Sequence, residues 1–389
     1  MTTYSAVVTT GIYCRPGCGA KPLAENVRTF ELAAAAEVAG FRACLRCRPY
    51  RVAGPISTDS PELVCRAVQL IIDGALDDGT EADLAARLAL SARHLRRIFL
   101  AHLGVTPDQL ARSRRAHFAR RMLDDSDLTV AEVAFASGFG SLRQFNRDIR
   151  EVFRSSPKEL RNRRRRSDRL AADGGLTLRL PFQPPYDWDN VQVFLAERAI
   201  PGVESVQDGV YRRTISLDGG PGVLEVRPGN ESCLLLQAHL PYWEGLIHVV
   251  ERAGRMVGLA DPTTGPGAWG AFEIAAHAIV AQHCGLARAR TRMGTLTRHL
   301  GQPVGGLTHG LTHLFPSADL VAGADLTAVD LPRRTAQTLR SLATAVAAGT
   351  VVLDCALPLP DLVRTLTAVS GLGVPAAHHI ATRLGHHLP

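Results

Sequence analysis

Four cysteines near the start of the chain constrain it more than any other feature: Cys14-Arg-Pro-Gly-Cys18 and Cys44-Leu-Arg-Cys47. The pairs are spaced C-x3-C and C-x2-C and are separated by the stretch Gly19–Ala43, the pattern of a closed four-thiolate Zn2+ site made by Cys14, Cys18, Cys44 and Cys47. Four protein ligands leave no open position for water, which argues against hydrolytic chemistry. They do hold sulfur ionised at neutral pH, so any one of them can attack a soft electrophile such as a methyl group. A purely structural zinc knuckle competes with that reading on spacing alone. The flanking residues favour a phosphate-binding face, because Arg15, Arg42, Arg46 and Arg48 all lie within two residues of a cysteine.

Gly11-Ile-Tyr-Cys-Arg-Pro-Gly-Cys18, Glu25-Asn-Val-Arg28 and Ala39-Gly-Phe-Arg-Ala-Cys-Leu-Arg-Cys-Arg-Pro49 are similar to the N-terminal domain of the Ada family of bacterial alkylation-response proteins. The resemblance covers about residues 10 to 50, with Gly17 standing where Ser is common. It implies that Cys14, which matches the first cysteine of the family motif, takes a methyl group irreversibly from a DNA methylphosphotriester.

The length of 389 residues suggests three or four domains, and 46% apolar with 21% charged residues reads as globular, not disordered. Charge is informative once split: residues 1–170 hold 28 Lys and Arg against 19 Asp and Glu, and the remainder 16 against 18. The basic surplus therefore sits N-terminal to Ala171, which makes that half the better candidate for contact with double-stranded DNA. No secretory pattern opens the chain, and no uninterrupted apolar run approaches the roughly 20 residues that a membrane helix needs. A cytoplasmic location without a membrane partner is therefore expected. Cys65, Cys233, Cys284 and Cys355 lie far apart in apolar contexts and read as buried reduced thiols.

Residues 51–60 read as a linker, and Pro61 opens a helix. An internal repeat offset by about 50 positions follows: Ala82–Phe99 ending in Leu103-Gly-Val-Thr-Pro107, then Val130–Arg147 ending in Val152-Phe-Arg-Ser-Ser-Pro157. Each copy gives a short helix, a turn and a Ser-capped second helix. The exposed sides of those second helices carry Arg93, His94, Arg96 and Arg97 in one copy and Ser141, Arg143, Gln144, Asn146 and Arg147 in the other. Such side chains reach base edges and phosphates in the major groove, although a solvated surface helix pair fits the pattern too. Gly138-Phe139, Ser141, Phe145-Asn146-Arg147, Phe153 and Ser156-Pro157 resemble the AraC-type DNA-binding domain over about residues 60 to 163. Activators of this kind imply RNA polymerase as a partner. The run Arg161-Asn-Arg-Arg-Arg-Arg166 can add phosphate contacts or simply end a solvated helix.

Beyond a second linker reaching Gly175, Leu176–Leu180, Val210–Ser216, Gly222–Arg227 and Ser232–Ala238 read as strands, a helix runs to about Ala199, and the chain after Tyr242 is almost entirely helical. Phe182-Gln-Pro-Pro-Tyr-Asp-Trp188, Phe194-Leu-Ala-Glu-Arg-Ala199, Gly265-Pro-Gly-Ala-Trp-Gly-Ala-Phe-Glu273 and Ser370-Gly-Leu-Gly373 resemble the AlkA-type 3-methyladenine DNA glycosylases. That likeness implies a helix-hairpin-helix in which Gly371 and Gly373 let backbone amides approach a DNA phosphate. It departs from the family at Val374-Pro375, where a Trp is usual, and no Asp or Glu occurs between Leu372 and Pro389, where the catalytic Asp is expected. Catalytic loss in this half is therefore expected. Eleven of the 14 histidines lie in this half; paired as His378-His379 and His386-His387 they point to different helix faces, which disfavours a shared metal.

The expected fold is multidomain and mainly α. It comprises a small zinc-bound α/β domain (1–52), an AraC-type double helix-turn-helix (60–166), an AlkA-like α+β domain (175–258) and a partial helix-hairpin-helix domain (259–389). The expected function is a methylation-responsive transcriptional regulator whose Cys14 is a stoichiometric methyl acceptor. Two alternatives stay open: a regulator that is also an active 3-methyladenine glycosylase, and a zinc-stabilised activator that senses a small ligand through residues 176–389. No Pro-Cys-His-Arg motif is present, so O6-alkylguanine transfer is not expected.

Overall fold

A computed structural model of the chain describes residues 3–20, 22–51, 60–170, 174–218, 220–230, 232–259, 265–282 and 284–386. The expected first linker falls almost wholly outside the described residues, as does His387. The chain divides into two compact units, the first formed by residues 1–173, 177–184 and 243–251 and the second by the remainder. That is coarser than the fourfold division expected from the sequence motifs and the resemblances they carry.

The first unit opens with β1 (Tyr4–Val7), β2 (Ile12–Cys14), β3 (Val27–Phe30), α1 (Ala33–Val38) and β4 (Arg42–Ala43). They form a four-stranded sheet in the order β3-β1-β2-β4. Strands β2 and β4 run parallel, with Ile12 opposite Arg42 and Tyr13 opposite Ala43. One residue past that register stand Cys14 and Cys44, so the pairing itself delivers one cysteine of each motif to the same end of the sheet. Tyr4, Ala6, Tyr13, Ala36 and Phe41 are buried beneath it.

Seven helices follow: α2 (Glu62–Ile72), α3 (Glu81–Arg87), α4 (Ala92–Leu103), α5 (Pro107–Asp125), α6 (Val130–Ala136), α7 (Leu142–Phe153) and α8 (Pro157–Asn162). The internal repeat is a repeat of caps. Ser91 and Ser141 accept backbone hydrogen bonds at the starts of α4 and α7, and Thr106 and Ser156 each begin a capping box followed by Pro at α5 and α8. Such caps satisfy amides that no helical carbonyl can reach, each worth about 1 kcal/mol. Leu95, Phe99 and Leu103 in the first copy, and Phe145, Ile149, Val152 and Phe153 in the second, are buried. The opposite helix faces are left to solvent.

In residues 243–251 of this unit, His248 Nε2 lies 2.5 Å from Asp77 Oδ2 and Nδ1 lies 3.1 Å from the Ile72 carbonyl. Burial lowers the His248 pKa, but the Asp77 carboxylate outweighs it and the net shift is upward. The stabilisation from this pair is therefore fully present below the ordinary histidine value of about 6.5 and is lost as pH rises through the raised folded value. The melting temperature of the chain is expected to fall across that window, and a His248→Gln variant should lack the step.

Strand β5 (Leu176–Pro181) leads to the second unit, with α9 (Trp188–Arg198), β6 (Glu204–Gln207), β7 (Val210–Leu217), β8 (Gly220–Asn230) and β9 (Cys233–His239). Strands β6 to β9 are an antiparallel meander paired in sequence order. Strand β6 was not anticipated, because its four residues, Glu204-Ser-Val-Gln207, carry almost no apolar pattern. Helices α10 (Leu246–Met256), α11 (Ala271–Ala281), α12 (Gly285–Leu300), α13 (Ala318–Gly323), α14 (Arg333–Ala347), α15 (Leu359–Thr367) and α16 (Val374–Arg383) follow. Helices α11 to α16 share one apolar core that includes Ile279, Met293, Leu339, Leu366 and Ile380. Among the described residues no helix is long and apolar enough to cross a membrane.

Gly371 joins α15 to α16 at φ +84, and a Cβ there would collide with Thr338 Oγ1. Both the left-handed backbone and the contact select glycine. Gly371→Ala should cost about 1–3 kcal/mol in urea denaturation, whereas Gly373→Ala, whose φ of −79 any residue adopts, should cost less. The expected buried state of the four remaining cysteines holds for Cys233 and Cys355, while Cys65 and Cys284 are only partly covered.

Candidate metal centre and nucleic-acid interface

The ends of β2 and β4 and the turns after them bring Cys14, Cys18, Cys44 and Cys47 together, with their sulfurs all within 4.8 Å of one another. Among the described residues this is the only group of three or more His, Cys, Asp or Glu side chains able to hold a metal ion. A tetrahedral zinc with bonds of about 2.3 Å spaces its sulfurs by about 4 Å, so the four residues fit that ion. The thiols alone are poor company. Burial first, then the charge of Cys47, pushes the Cys14 thiol far up, and burial pushes Cys47 up to about 12. Cys44 is lowered, since the backbone amides of Cys47 and Arg46 outweigh its burial. A cluster that resists successive ionisation in this way needs a cation to hold it, which is the chemistry of a zinc-thiolate site. The chain carries a zinc-binding site of four cysteines.

Cys14 and Cys44 are buried, Cys18 and Cys47 half-buried. Arg15 and Arg46 are exposed beside them and Arg42 is half-buried. Arg48 does not belong to the expected phosphate-binding face. Its backbone is left-handed at φ 49, and its guanidinium turns inward to Asp168 at 2.7 Å and Asp124 at 3.8 Å, leaving it 9% exposed.

That inward turn begins a buried ionic network. Arg51 Nη2 reaches Asp125 at 2.9 Å and Asp124 at 3.2 Å, Arg120 Nη1 reaches Asp124 at 2.5 Å, and the Tyr50 hydroxyl donates to Asp124 at 3.2 Å. A second tie lies beside Cys14: Tyr13 Oη donates to Glu37 Oε1 at 2.7 Å, and His117 Nε2 stands 2.6 Å from the same oxygen. Neighbours of two metal ligands are thus tied to His117 and Asp124, two turns apart on one face of α5, the helix joining the two helix-turn-helix copies. The ties that join Glu37, His117 and Asp124 across the unit were invisible to sequence reasoning, since Tyr50 lies 74 positions from Asp124, Glu37 80 from His117 and Tyr13 104 from His117.

On α4, Arg93, His94, Arg96 and Arg97 are exposed, though Arg96 is bound through Nε and Nη2 to Glu81. On α7, Arg143 and Arg147 are exposed while Gln144 and Asn146 are half-buried. The Ser141 hydroxyl caps its helix, Asn146 donates to the Leu142 carbonyl, and Arg147 pairs with Asp148. The first unit therefore presents two exposed basic helix faces; the hairpin glycines Gly371 and Gly373 lie in the second unit.

In that second unit the largest buried polar group is Arg213, on β7. It is bidentate to Glu273 at 3.2 and 2.8 Å and reaches Glu204 at 3.3 Å. Tyr211 donates to Glu204. Burial pushes the Glu204 carboxyl up despite Arg213, toward its neutral form.

Comparison with known proteins gives three family matches: a metal binding domain of Ada over residues 2–50, a helix-turn-helix domain over 84–163, and an AlkA N-terminal domain over 177–264. A Mycobacterium tuberculosis protein described as a probable bifunctional transcriptional activator/DNA repair enzyme AlkA is 36% identical, over 97% of this chain and 82% of its own length. The Escherichia coli bifunctional transcriptional activator/DNA repair enzyme Ada is 33% identical over 40% of this chain and 43% of its own. A solved E. coli Ada protein in complex with DNA is 34% identical, covering 28% of this chain and 78% of that one, with a TM-score of 0.12. A sulfur cluster at the end of the first sheet, paired helix-turn-helix faces and an AlkA-type second half, together with a relative matched over nearly all of this chain, place it in the family of bifunctional transcriptional activator/DNA repair enzymes of the AlkA and Ada type.

Proposed function

We propose that the chain senses DNA alkylation by taking a methyl group from a methylphosphotriester onto Cys14, and that this raises the affinity of its helix-turn-helix pair for a promoter. What supports the reading is the convergence of four sulfurs beside exposed Arg15 and Arg46 in the part of the chain that matches the Ada metal binding domain. Zinc, when held by Cys14, Cys18, Cys44 and Cys47, keeps those sulfurs ionised at neutral pH. The Cys14 sulfur attacks the methyl carbon; an S–C bond forms as the C–O bond breaks, and the electron pair departs on oxygen to restore an anionic phosphodiester. A methylated phosphotriester is neutral, so it repels the thiolate cluster least of all backbone positions. Arg15 and Arg46 hold the phosphates on either side.

Transfer turns a thiolate into a thioether, and the cluster loses one negative charge. Repulsion from nearby phosphates then falls by on the order of 1 kcal/mol or more at an interface of intermediate dielectric. Arg93, His94, Arg97, Arg143, Gln144 and Arg147 read the operator, and RNA polymerase is the partner of the bound activator. The four-part domain division belongs to this reading, the first two parts forming the sensor and its DNA reader. Promoter affinity measured before and after incubation with methylphosphotriester DNA tests it: a severalfold rise supports the switch, and equal affinities exclude it.

For the second half, we infer that release of alkylated bases is weak or absent. Glu204 and Glu273 are both committed to Arg213, and Val374-Pro375 stand where the glycosylase hairpin has a Trp. A base-release assay on duplex DNA containing 3-methyladenine should give no more than background, and turnover would overturn this part.

A further inference from the structure

The zinc-site domain meets α5 at two points that differ in kind. At Asp124 the grip is ionic and lies where the chain leaves the cysteines, through Arg48, Tyr50 and Arg51. At His117 it is one three-part tie. Tyr13 Oη lies 2.7 Å from Glu37 Oε1, and His117 Nε2 lies 2.6 Å from that oxygen and 3.2 Å from the hydroxyl. A carboxylate oxygen only accepts, so phenol and imidazole both donate to it. His117 and Asp124 stand about 10 Å apart along the helix axis. One attachment leaves a domain free to swing, whereas two at that separation fix its orientation.

The tie at His117 has little apolar packing behind it. Helix α1 reads Ala33-Ala-Ala-Ala-Glu-Val38, so it offers α5 mainly methyl groups, and Glu37 is its one charged residue. Such short side chains bury little area. A cavity of about 20 Å³ lined by Ala34, Val38, Gln109 and Val152 leaves the joint incompletely filled. The Glu37 side chain is only 8% exposed and that of His117 17%, so the pair is not of the open kind that water weakens. Phe153, which ends α7, has its ring 5.9 Å from those of both His117 and Tyr50. The tie therefore runs from the neighbour of Cys14 to the helix whose outer face carries Arg143 and Arg147.

We propose that Tyr13, Glu37 and His117 form a latch that holds the cysteine cluster against the duplex gripped by α4 and α7, so that its negative charge suppresses promoter binding until Cys14 is methylated. The three are positioning residues and touch neither DNA nor the reacting atoms. Repulsion between cluster and phosphates weakens the complex only while the cluster is kept from moving off. A domain released at His117 turns on the Arg48–Arg51 pivot and escapes it. Unlatching and methylation therefore change affinity in the same direction. The latch rests on the charge change assigned above to Cys14 for its link to DNA damage.

The test is binding by the full-length, zinc-loaded chain to a duplex selected from a random-sequence pool by the unaltered chain, with no methylated DNA present. Glu37→Ala and His117→Ala should each bind it about fivefold more tightly than the unaltered chain. That gain should shrink as salt is raised. Glu37→Gln removes the same charge but keeps an acceptor for phenol and imidazole, so it should stay near the unaltered affinity. The rise that methylated DNA then brings should be smaller in the two alanine variants. Equal or weaker binding by those variants, the result of a merely structural role, would overturn the latch; so would a gain shared by Glu37→Gln or one indifferent to salt. These affinities are read before methylation, so failure of the latch is distinct from failure of the switch, which shows as no methyl group or no rise in the unaltered chain. Nuclear magnetic relaxation of the unaltered chain needs no variant to fold. Backbone amides of β1 to β4 and of α5 should share one tumbling time, and faster tumbling of the strands would equally overturn the latch.

Discussion

Replacing Cys14 with alanine is expected to abolish both methyl uptake and the rise in promoter affinity that follows exposure to methylated DNA. The effect is all or none for transfer, because the proposed reaction ends on the Cys14 sulfur. For affinity the expected result is subtler. Cys14→Ala removes one thiolate permanently, so the variant should bind promoter DNA at a fixed level that methylated DNA no longer changes. A variant that still responds to methylated DNA would place the acceptor elsewhere. Cys18 and Cys47 are the first alternatives, being the less buried of the four.

The second large effect concerns stability. Asp124 is fully buried and takes contacts from Arg120, Arg51, Tyr50 and, at longer range, Arg48. Asp124→Ala removes the carboxylate and strands Arg120, itself 1% exposed, as an uncompensated charge. Breaking one side of a buried pair costs about 3–5 kcal/mol. Urea denaturation should show a loss of that size for Asp124→Ala and a smaller one for Asp124→Asn, which keeps a hydrogen-bond acceptor. Because Arg48 follows Cys47 directly, the alanine variant should also release zinc more readily to a chelator than Arg93→Ala, a change on the exposed face of α4. A loss below about 1 kcal/mol, the scale of an exposed pair, would mean that water reaches the network.

What could be read from the sequence divides by range. Thiolate spacing is a local property, since chelation needs only two short loops and a pair of adjacent strands, and all four sulfurs converge as the spacing demands. The helix-turn-helix copies were legible because caps are local too: Ser91, Thr106, Thr129, Ser141 and Ser156 each bond an amide three residues on. Arg48 went astray for the opposite reason. A left-handed residue after Cys47 sends it toward Asp124 and Asp168, carboxylates far along the chain, and nothing near it in sequence announces them. Arg213 was hidden in the same way, as one of two adjacent arginines in a strand, with its partner Glu273 60 positions distant. A cavity beside Glu204 and Glu273 needs residues from α9, α11 and α16, which only tertiary packing assembles.

The central claim is that one sulfur of the cluster accepts carbon from damaged DNA backbone and thereby becomes less negative. Mass spectrometry of the zinc-loaded chain after incubation with duplex DNA carrying a methylphosphotriester tests it most directly. The account predicts one added methyl group on the peptide containing Cys14 and none on those containing Cys44 and Cys47, with fragmentation placing it on Cys14 and not Cys18. An unmodified cluster, or a methyl group on any other cysteine, would contradict it.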